Sequence, residues 1–168
     1  MSDFKTNLND NGLAEEAAHG LDGVIDKTDP KYSKHLYGLV VQYEDIDAGG
    51  IVYHSTYLNF AERARSALLR ASKFDVQYWL AEENQGFVIT HIETDYLSPA
   101  KLHNRLIVET SCLQLGGASA LLQQNINSFD RGHIFARVMV KAAWVDIDLG
   151  PRKFPEPLQM VLRSFQPR

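Results

Sequence analysis

The chain has 168 residues and a mass of 19.0 kDa, which suits one domain, and 45% of its residues are hydrophobic. No stretch approaches the roughly 18 consecutive apolar residues of a membrane-spanning helix, and the first twenty residues lack the apolar core of a secretory signal. A single cysteine, Cys112, excludes an internal disulfide. We therefore expect a cytoplasmic protein without a membrane span.

The net charge of −4 comes from the N-terminal segment, since residues 1–31 hold seven acidic residues and three lysines. The rest of the chain is neutral, which argues against nucleic-acid binding because such domains carry a basic surface. Residues 1–32 are polar and almost free of aromatics, so they can bury little surface. We predict a mobile extension there, in which the sequence allows a short helix over 13–19, followed by a single domain over 33–168.

The predicted elements of that domain change from helical to strand periodicity along the chain. A β-rich strand over 35–43 leads into a turn-prone segment around Gly49 and Gly50. Residues 56–72 contain no Gly or Pro and place small residues on one face, which predicts a long helix. A short helix over 76–83 follows. Strands are then predicted over 87–97, 105–115, 118–129 and 134–146, and Pro151, Pro155 and Pro157 are expected to end the regular structure.

This order predicts an α+β architecture, an antiparallel sheet of about five strands wrapped around one long helix. That arrangement is the hot-dog fold. Because one helix covers only part of a broad sheet, we expect the remaining surface to contact a second subunit, with a dimer as the minimum.

The segment from Tyr43 to Arg65 carries the most specific pattern. It reads Tyr43-Glu-Asp-Ile-Asp-Ala-Gly-Gly-Ile-Val-Tyr-His54, followed by Tyr57-Leu-Asn-Phe-Ala-Glu-Arg-Ala-Arg65. This pattern strongly resembles the 4-hydroxybenzoyl-CoA thioesterase family, and within it the YbgC branch of acyl-CoA thioesterases associated with the Tol–Pal system. The likeness extends over residues 37–155 and includes the Tyr-Leu-Ser-Pro-Ala segment at 96–100.

The resemblance implies a role for each matching residue. Asp47 matches the catalytic aspartate, which acts as nucleophile or as general base for a water. His54 stands where a backbone N–H at a helix N-terminus polarises the thioester carbonyl. Tyr43 and the His54 side chain match further active-site groups of the YbgC branch. Related enzymes are commonly tetramers built from two dimers, so the resemblance also implies a homo-oligomer, with a tetramer expected.

The residue chemistry supports this interpretation independently. Thioester hydrolysis requires a base or nucleophile on one side of the carbonyl and hydrogen-bond donors on the other. Gly49 and Gly50 allow a tight turn and a close approach of ligand to backbone. The backbone of Gly49, Gly50, Tyr53 and His54 is therefore predicted to bind the substrate, helped by the positive end of the following helix.

Several polar residues in or near the motif have a structural role as the alternative to a catalytic one. Glu44 and Asp45 are interpreted as solvated loop acids, and Tyr43 has packing at a strand end as its alternative role. Glu62 is a second candidate because other hot-dog thioesterases place a catalytic Glu on this helix. We expect it instead to pair with Arg65 or Ser66 on the same helix.

Basic residues near proline-punctuated loops are candidates for contacts with CoA phosphates, with solvated surface charges as the alternative. They are Lys101, Arg105, Arg152 and Lys153. The histidines show no metal-ligand spacing, so no metal and no cofactor are predicted. Cys112 lies in a predicted strand, where a buried small side chain is expected.

The sequence thus predicts an acyl-CoA thioesterase, with acyl-carrier protein thioesters as further candidate substrates. Two alternatives from other classes stay open. One is a hot-dog dehydratase or hydratase, which would use a His with a helix carboxylate. The other is a non-catalytic acyl-carrier-binding protein, in which Asp47 would be dispensable.

Overall fold

A computed structural model describes residues 10–167. The helices are α1 (Asp10–His19), α2 (Thr56–Ala71), α3 (Val76–Glu82) and α4 (Glu156–Ser164). The strands are β1 (Val24–Asp26), β2 (Lys34–Val40), β3 (Gln85–Tyr96), β4 (Arg105–Leu115), β5 (Ser119–Ser128), β6 (Ile134–Asp146) and β7 (Gly150–Pro151). Within the described residues, no helix is long and apolar enough to cross a membrane.

All seven strands form one antiparallel sheet in the order β1-β2-β4-β5-β6-β3, with β7 paired to the end of β6. The five long strands correspond to the five predicted ones, and β1 and β7 are short additions of three and two residues. The strand predicted over 35–43 ends at Val40, and a 3-10 turn over Tyr43–Asp45 takes its place. The predicted α+β hot-dog class is confirmed.

Helix α2 lies across one face of this sheet because its buried side is built from small residues. Ala61, Ala64 and Ala67 are fully buried there, which lets the helix backbone approach the strands closely. The buried Gln124 on β5 fixes the contact, since its Nε2 donates to the Ala61 carbonyl oxygen at 2.9 Å and to Thr110 Oγ1 at 3.1 Å. The long helix is therefore held in one position, with its N-terminus at the end of the sheet where β3 ends and β6 begins.

Regular structure continues past the three prolines that were expected to end it. Pro155 precedes α4 and Pro157 occupies its first turn, where a proline costs no helical hydrogen bond. Leu158 and Leu162 are buried beside Trp144 in a second core cluster. The expectation for the C-terminal segment was wrong because a proline at a helix start was read as a terminator.

The N-terminal segment differs from the predicted mobile extension over residues 1–32. Helix α1 buries Leu13, Ala14 and Ala17 against Leu36 and Ile107, and β1 pairs with β2. Successive residues of a strand point to opposite faces of a sheet. Ile107 faces α1 while its neighbours Leu106 and Val108 belong to the cluster under α2, so α1 covers the opposite face. The helix allowed over 13–19 lies within α1, and residues 1–9 lie outside the described part of the chain.

Candidate active site

The loop between the 3-10 turn and α2 is a tight reversal closed by its own backbone. The Asp47 N–H donates to the Ile51 carbonyl at 2.9 Å, and the Gly50 N–H donates to the Asp47 carbonyl at 3.0 Å. Gly50 has a φ of +76°, a left-handed conformation that glycine adopts without steric cost. The predicted glycine turn is therefore present, and it presents Asp47 at its start.

The Asp47 carboxylate is exposed and only partly engaged. Its Oδ1 accepts the Gly49 N–H at 2.7 Å, which fixes the orientation of the side chain. No hydrogen-bond donor contacts Oδ2 within residues 10–167. One oxygen thus holds the carboxylate in place while the other is available for a proton or for an electrophilic carbon.

Asp45 is not the solvated loop acid that the sequence predicted. Its side chain is 4% exposed, and Oδ2 accepts the Gln42 N–H at 2.7 Å across the 3-10 turn. Its backbone carbonyl also accepts the Tyr53 N–H at 2.9 Å. The prediction was wrong because a capping carboxylate and a solvated one have the same polarity. They differ only in their hydrogen-bond partners, which the sequence does not show. Glu44 is exposed, as expected.

The four predicted backbone donors are not equivalent. The N–H groups of Gly49, Gly50 and Tyr53 are taken up by Asp47 Oδ1, the Asp47 carbonyl and the Asp45 carbonyl, respectively. The N–H of His54 has no acceptor among the described residues. It lies two residues before α2, where the unpaired amides and the helix dipole favour negative charge. Of the four, His54 is the one whose N–H stays unpaired among the described residues.

Asp47 and His54 line the same open groove, which has a volume of about 410 Å³. The opposite wall is the segment after β3, and Tyr96 joins the two walls because its hydroxyl donates to the His54 carbonyl at 3.0 Å. The His54 ring packs on Tyr53, with ring centroids 4.3 Å apart, and its imidazole is exposed. The groove is thus lined by Asp47, Ile51, Val52, Tyr53, His54, Tyr57, Tyr96, Leu97, Ser98 and Pro99.

Tyr57 forms the floor of this groove. Its hydroxyl oxygen accepts the Ala100 N–H at 3.0 Å, and the side chain is buried. Burial raises the pKa of this phenol above its ordinary value, and the Ala100 amide offsets only part of that rise. The phenol therefore stays protonated at neutral pH. Neither Tyr57 nor Tyr96 was among the residues that the sequence assigned to catalysis or substrate binding.

Tyr43 does not line the groove. It lies in the 3-10 turn with 76% of its surface exposed, and its ring meets the edge of His103 with centroids 6.2 Å apart. Within one chain, the structure therefore separates Tyr43 from the groove that holds Asp47 and His54. Any contact of Tyr43 with substrate would have to involve a part of the ligand outside this groove.

The model of the thioesterase-like superfamily matches residues 41–165 of this chain. The chain belongs to the thioesterase-like superfamily. The match spans the whole sheet apart from β1 and β2 and includes every residue that lines the groove. Membership confirms the predicted class of enzyme, a thioester hydrolase.

Similar proteins agree with this assignment. An acyl-CoA thioesterase YbgC of Haemophilus influenzae is 39% identical over 127 residues, which cover 75% of this chain and 92% of the relative. An acyl-CoA thioester hydrolase YbgC of Escherichia coli is 32% identical over 70% of this chain and 87% of its own length. A probable thioesterase of Bartonella henselae, solved as a crystal structure, superposes with a TM-score of 0.68 at 30% identity and covers 73% of this chain and 99% of its own. The predicted resemblance to the YbgC branch is confirmed.

The four basic residues predicted to contact CoA lie in different places on this thioesterase. Lys101 follows Ala100 and pairs with Ile51 in an isolated bridge, so it lies beside the groove. Arg105 is engaged on the other face of the sheet, where it forms an ion pair with Glu15 at 3.1 Å and lies 3.6 Å from the centroid of Phe129.

Arg152 and Lys153 lie at the far end of β6. The Arg152 N–H donates to the Trp144 carbonyl, whereas the Leu97 N–H on the groove wall donates to the Phe135 carbonyl. At about 3.3 Å per residue, nine residues of strand separate these points by roughly 30 Å. Within one subunit, Lys101 is therefore the predicted basic residue closest in the fold to the groove.

Glu62 points into a second, smaller cavity further along α2. This cavity measures about 140 Å³, and its apolar walls come from Leu69 on α2 and from Phe87 and Ile89 on β3. Glu62 forms an ion pair with Arg65, and Ser66 Oγ lies 3.5 Å from its carboxylate. The expected pairing within the helix is confirmed, and Glu62 does not line the groove of Asp47.

No group of three or more metal-ligating side chains occurs among residues 10–167. Cys112 is fully buried in β4, as predicted, and burial raises the pKa of its thiol to about 11. It does not take part in the groove.

Proposed function

We propose that this chain hydrolyses acyl-CoA thioesters in the groove between Asp47 and Tyr96. The observation that carries the proposal is the pairing, in one groove, of an exposed and oriented carboxylate with an amide that has no acceptor among the described residues. These are the two groups that thioester hydrolysis requires. The similarity to proteins named acyl-CoA thioesterases supports CoA as the thiol carrier.

The chemistry follows from the two sides of the groove. The His54 N–H binds the thioester oxygen, and Asp47 Oδ2 faces the carbonyl carbon. The carboxylate either takes a proton from an attacking water or attacks the carbon itself, forming an anhydride that water then opens. In both cases the carbonyl electron pair moves to oxygen and returns as the C–S bond breaks. The thiolate leaves without strong protonation, so one carboxylate is sufficient.

The apolar cavity under α2 is the proposed site for the acyl chain. It lies between α2 and the sheet, and its walls are mainly aliphatic and aromatic. Lys101, beside the groove, is the proposed contact for a CoA phosphate, and acyl-carrier protein is the second candidate carrier.

The test is release of CoA from a panel of aliphatic and aromatic acyl-CoAs by the wild type and by Asp47→Asn. Asparagine keeps the oxygen that accepts the Gly49 amide, so the loop is retained while the base or nucleophile is removed. We expect kcat to fall roughly a thousandfold, the usual loss when a principal catalytic group is removed. Because Cys112 is buried with a raised pKa, a thiol reagent reports the released CoA.

Two matched variants complete that experiment. Glu44→Gln changes an exposed acid three residues from Asp47 and should leave kcat within about twofold. Glu62→Gln removes the only other carboxylate proposed for catalysis and should affect acyl-chain preference more than kcat. Full turnover by Asp47→Asn would contradict the proposed role of this carboxylate. Failure of every acyl-CoA and acyl-carrier substrate would favour the binding-only alternative.

The proposed active form is a homodimer in the cytoplasm. Strand β3 is twelve residues long and pairs on one side only, with β6. Val88, Ile89 and Ile92 on this strand are about 40% exposed, at 41%, 42% and 39%. Because β3 ends at Tyr96 in the groove wall, a second copy paired along this edge would lie next to the active site. A tetramer would need a further surface in addition to this edge.

A further inference from the structure

The Tyr57 hydroxyl has a proton that no described residue accepts. Its oxygen accepts the Ala100 N–H at 3.0 Å, and this is its single hydrogen bond within residues 10–167. Tyr57 is 3% exposed, so little of its surface contacts bulk solvent. A buried donor without a partner is costly, so an acceptor that enters the site is expected to complete it.

The position of Tyr57 identifies where that ligand must come from. Tyr57 is the second residue of α2 and lines the groove together with Asp47 and His54. The nearby Tyr96 ring, with its centroid 5.7 Å away, has its own hydroxyl committed to the His54 carbonyl. An acceptor for the Tyr57 proton therefore has to enter through the groove.

We propose that Tyr57 is a catalytic residue whose phenol O–H donates a hydrogen bond to the thioester carbonyl oxygen, alongside the N–H of His54. This inference rests on the proposed thioester hydrolysis. As the nucleophile adds to the carbonyl carbon, the π electron pair moves onto oxygen and both donors bind it without transferring a proton. When the C–S bond breaks, the pair returns to the carbonyl and Tyr57 keeps its proton.

The surroundings of Tyr57 suit a donor and not a base. Burial raises its pKa above that of an ordinary phenol, so the hydroxyl remains protonated at neutral pH. The Ala100 amide occupies a lone pair of the oxygen and directs the proton away from the strand. Two donors at one oxyanion also account for catalysis at a loop where Gly49, Gly50 and Tyr53 have no free N–H to offer.

The first experiment is Tyr57→Phe, with Tyr78→Phe as its matched control. Phenylalanine keeps the ring contacts with Tyr96 and Phe60, and Tyr78 is a half-exposed tyrosine on α3, remote from the groove. We expect Tyr57→Phe to lower kcat by about 10²–10³-fold, as for the loss of one oxyanion donor, with KM within a few-fold. A kcat within threefold of the wild type would overturn the inference.

A merely structural role, through the Ala100 amide, is excluded by comparing two inert ligands on the same variant. One is an acyl-CoA analogue with CH₂ in place of sulfur, which keeps the carbonyl; the other is an S-alkyl-CoA, which has none. Tyr57→Phe should weaken binding of the ketone roughly 2- to 10-fold and leave binding of the thioether unchanged. Equal weakening of both ligands would show that the hydroxyl only supports the fold.

If Tyr57→Phe does not fold, a fluorinated tyrosine at position 57 provides a second test of the same inference. Fluorination preserves both hydrogen bonds and lowers the phenol pKa. If Tyr57 is a donor, kcat falls as rising pH deprotonates the phenol, and this fall begins at a lower pH in the fluorinated protein than in the wild type. An Ala100 anchor would instead be strengthened by ionisation, and an unchanged pH profile would overturn the inference. If the wild type shows no turnover, the proposed function fails, and the ketone comparison still decides the role of Tyr57.

Discussion

At the residue scale, some features of the Asp47 loop follow from the sequence motif, and others follow from contacts that form only in the folded chain. The glycine turn, with Asp47 at its start, was predictable because it depends on local chain geometry. Which backbone N–H groups stay unpaired was not predictable, since that depends on the Asp47 side chain and on the Asp45 and Asp47 carbonyls. Three of the four predicted donors are therefore taken up by the loop itself. The hydrogen bond between Tyr57 and Ala100 joins residues 43 positions apart, so it was visible only in the folded chain.

The buried Asp45 provides a test at the same scale. Its carboxylate caps the 3-10 turn, and its carbonyl accepts the Tyr53 N–H, so it fixes the segment that leads to His54. Asp45→Ala should lower the free energy of unfolding by about 0.5–2 kcal/mol, the usual cost of a lost cap. Urea denaturation measures this loss. Glu44→Ala, one residue away and exposed, should change stability by less than about 0.5 kcal/mol. Equal effects of the two variants would show that the cap contributes nothing.

At the element scale, the sequence predicted the long strands and α2 because their burial follows a regular period. Ile134–Asp146 alternates between faces, and α2 repeats small residues at helical spacing. Helix α4 escaped prediction, and α1 was anticipated only as a short helix over 13–19 in a mobile segment, for different reasons. Pro155 and Pro157 concealed the start of α4, whereas α1 buries mostly alanines, whose contribution depends on how closely the sheet can be approached.

That close approach depends on Gly38 of β2. A Cβ added at this residue would lie 2.6 Å from the Ala18 Cα, so a larger side chain must displace α1. Gly38→Val should destabilise the protein by about 1–3 kcal/mol, as overpacking usually does, although valine itself favours strands. It should also speed proteolysis within residues 10–26.

Gly117→Ala is the matched control for Gly38→Val, because nothing lies within 4 Å of a Cβ added at Gly117. Thermal denaturation and limited proteolysis followed by mass spectrometry check both variants. Since α1 covers the face of the sheet opposite α2, we expect Gly38→Val to retain turnover. Unchanged proteolysis in Gly38→Val would show that α1 does not require this contact.

At the scale of the whole molecule, the two edges of the sheet differ. The β1 edge is three residues long, whereas the β3 edge runs for twelve and carries exposed apolar side chains. Soluble proteins normally shorten, charge or cover such an edge, because its unpaired N–H and C=O groups bind another strand. The sequence predicted a partner from the small area that one helix covers, and the proposed dimer pairs that partner along β3.

Ile92→Lys tests the β3 edge as a contact between two copies of the chain. Ile92 is 39% exposed, opposite Val140, and it would face the partner strand in an antiparallel pairing about a twofold axis. A lysine there places two like charges near that axis, so we expect the dissociation constant of the dimer to rise at least tenfold by analytical ultracentrifugation.

Turnover should then increase more than linearly with protein concentration, since the end of β3 forms the groove wall. Met160→Lys, on an exposed position of α4, should leave both properties unchanged. A wild type that sediments as a monomer at micromolar concentration, with full activity, would contradict the dimer.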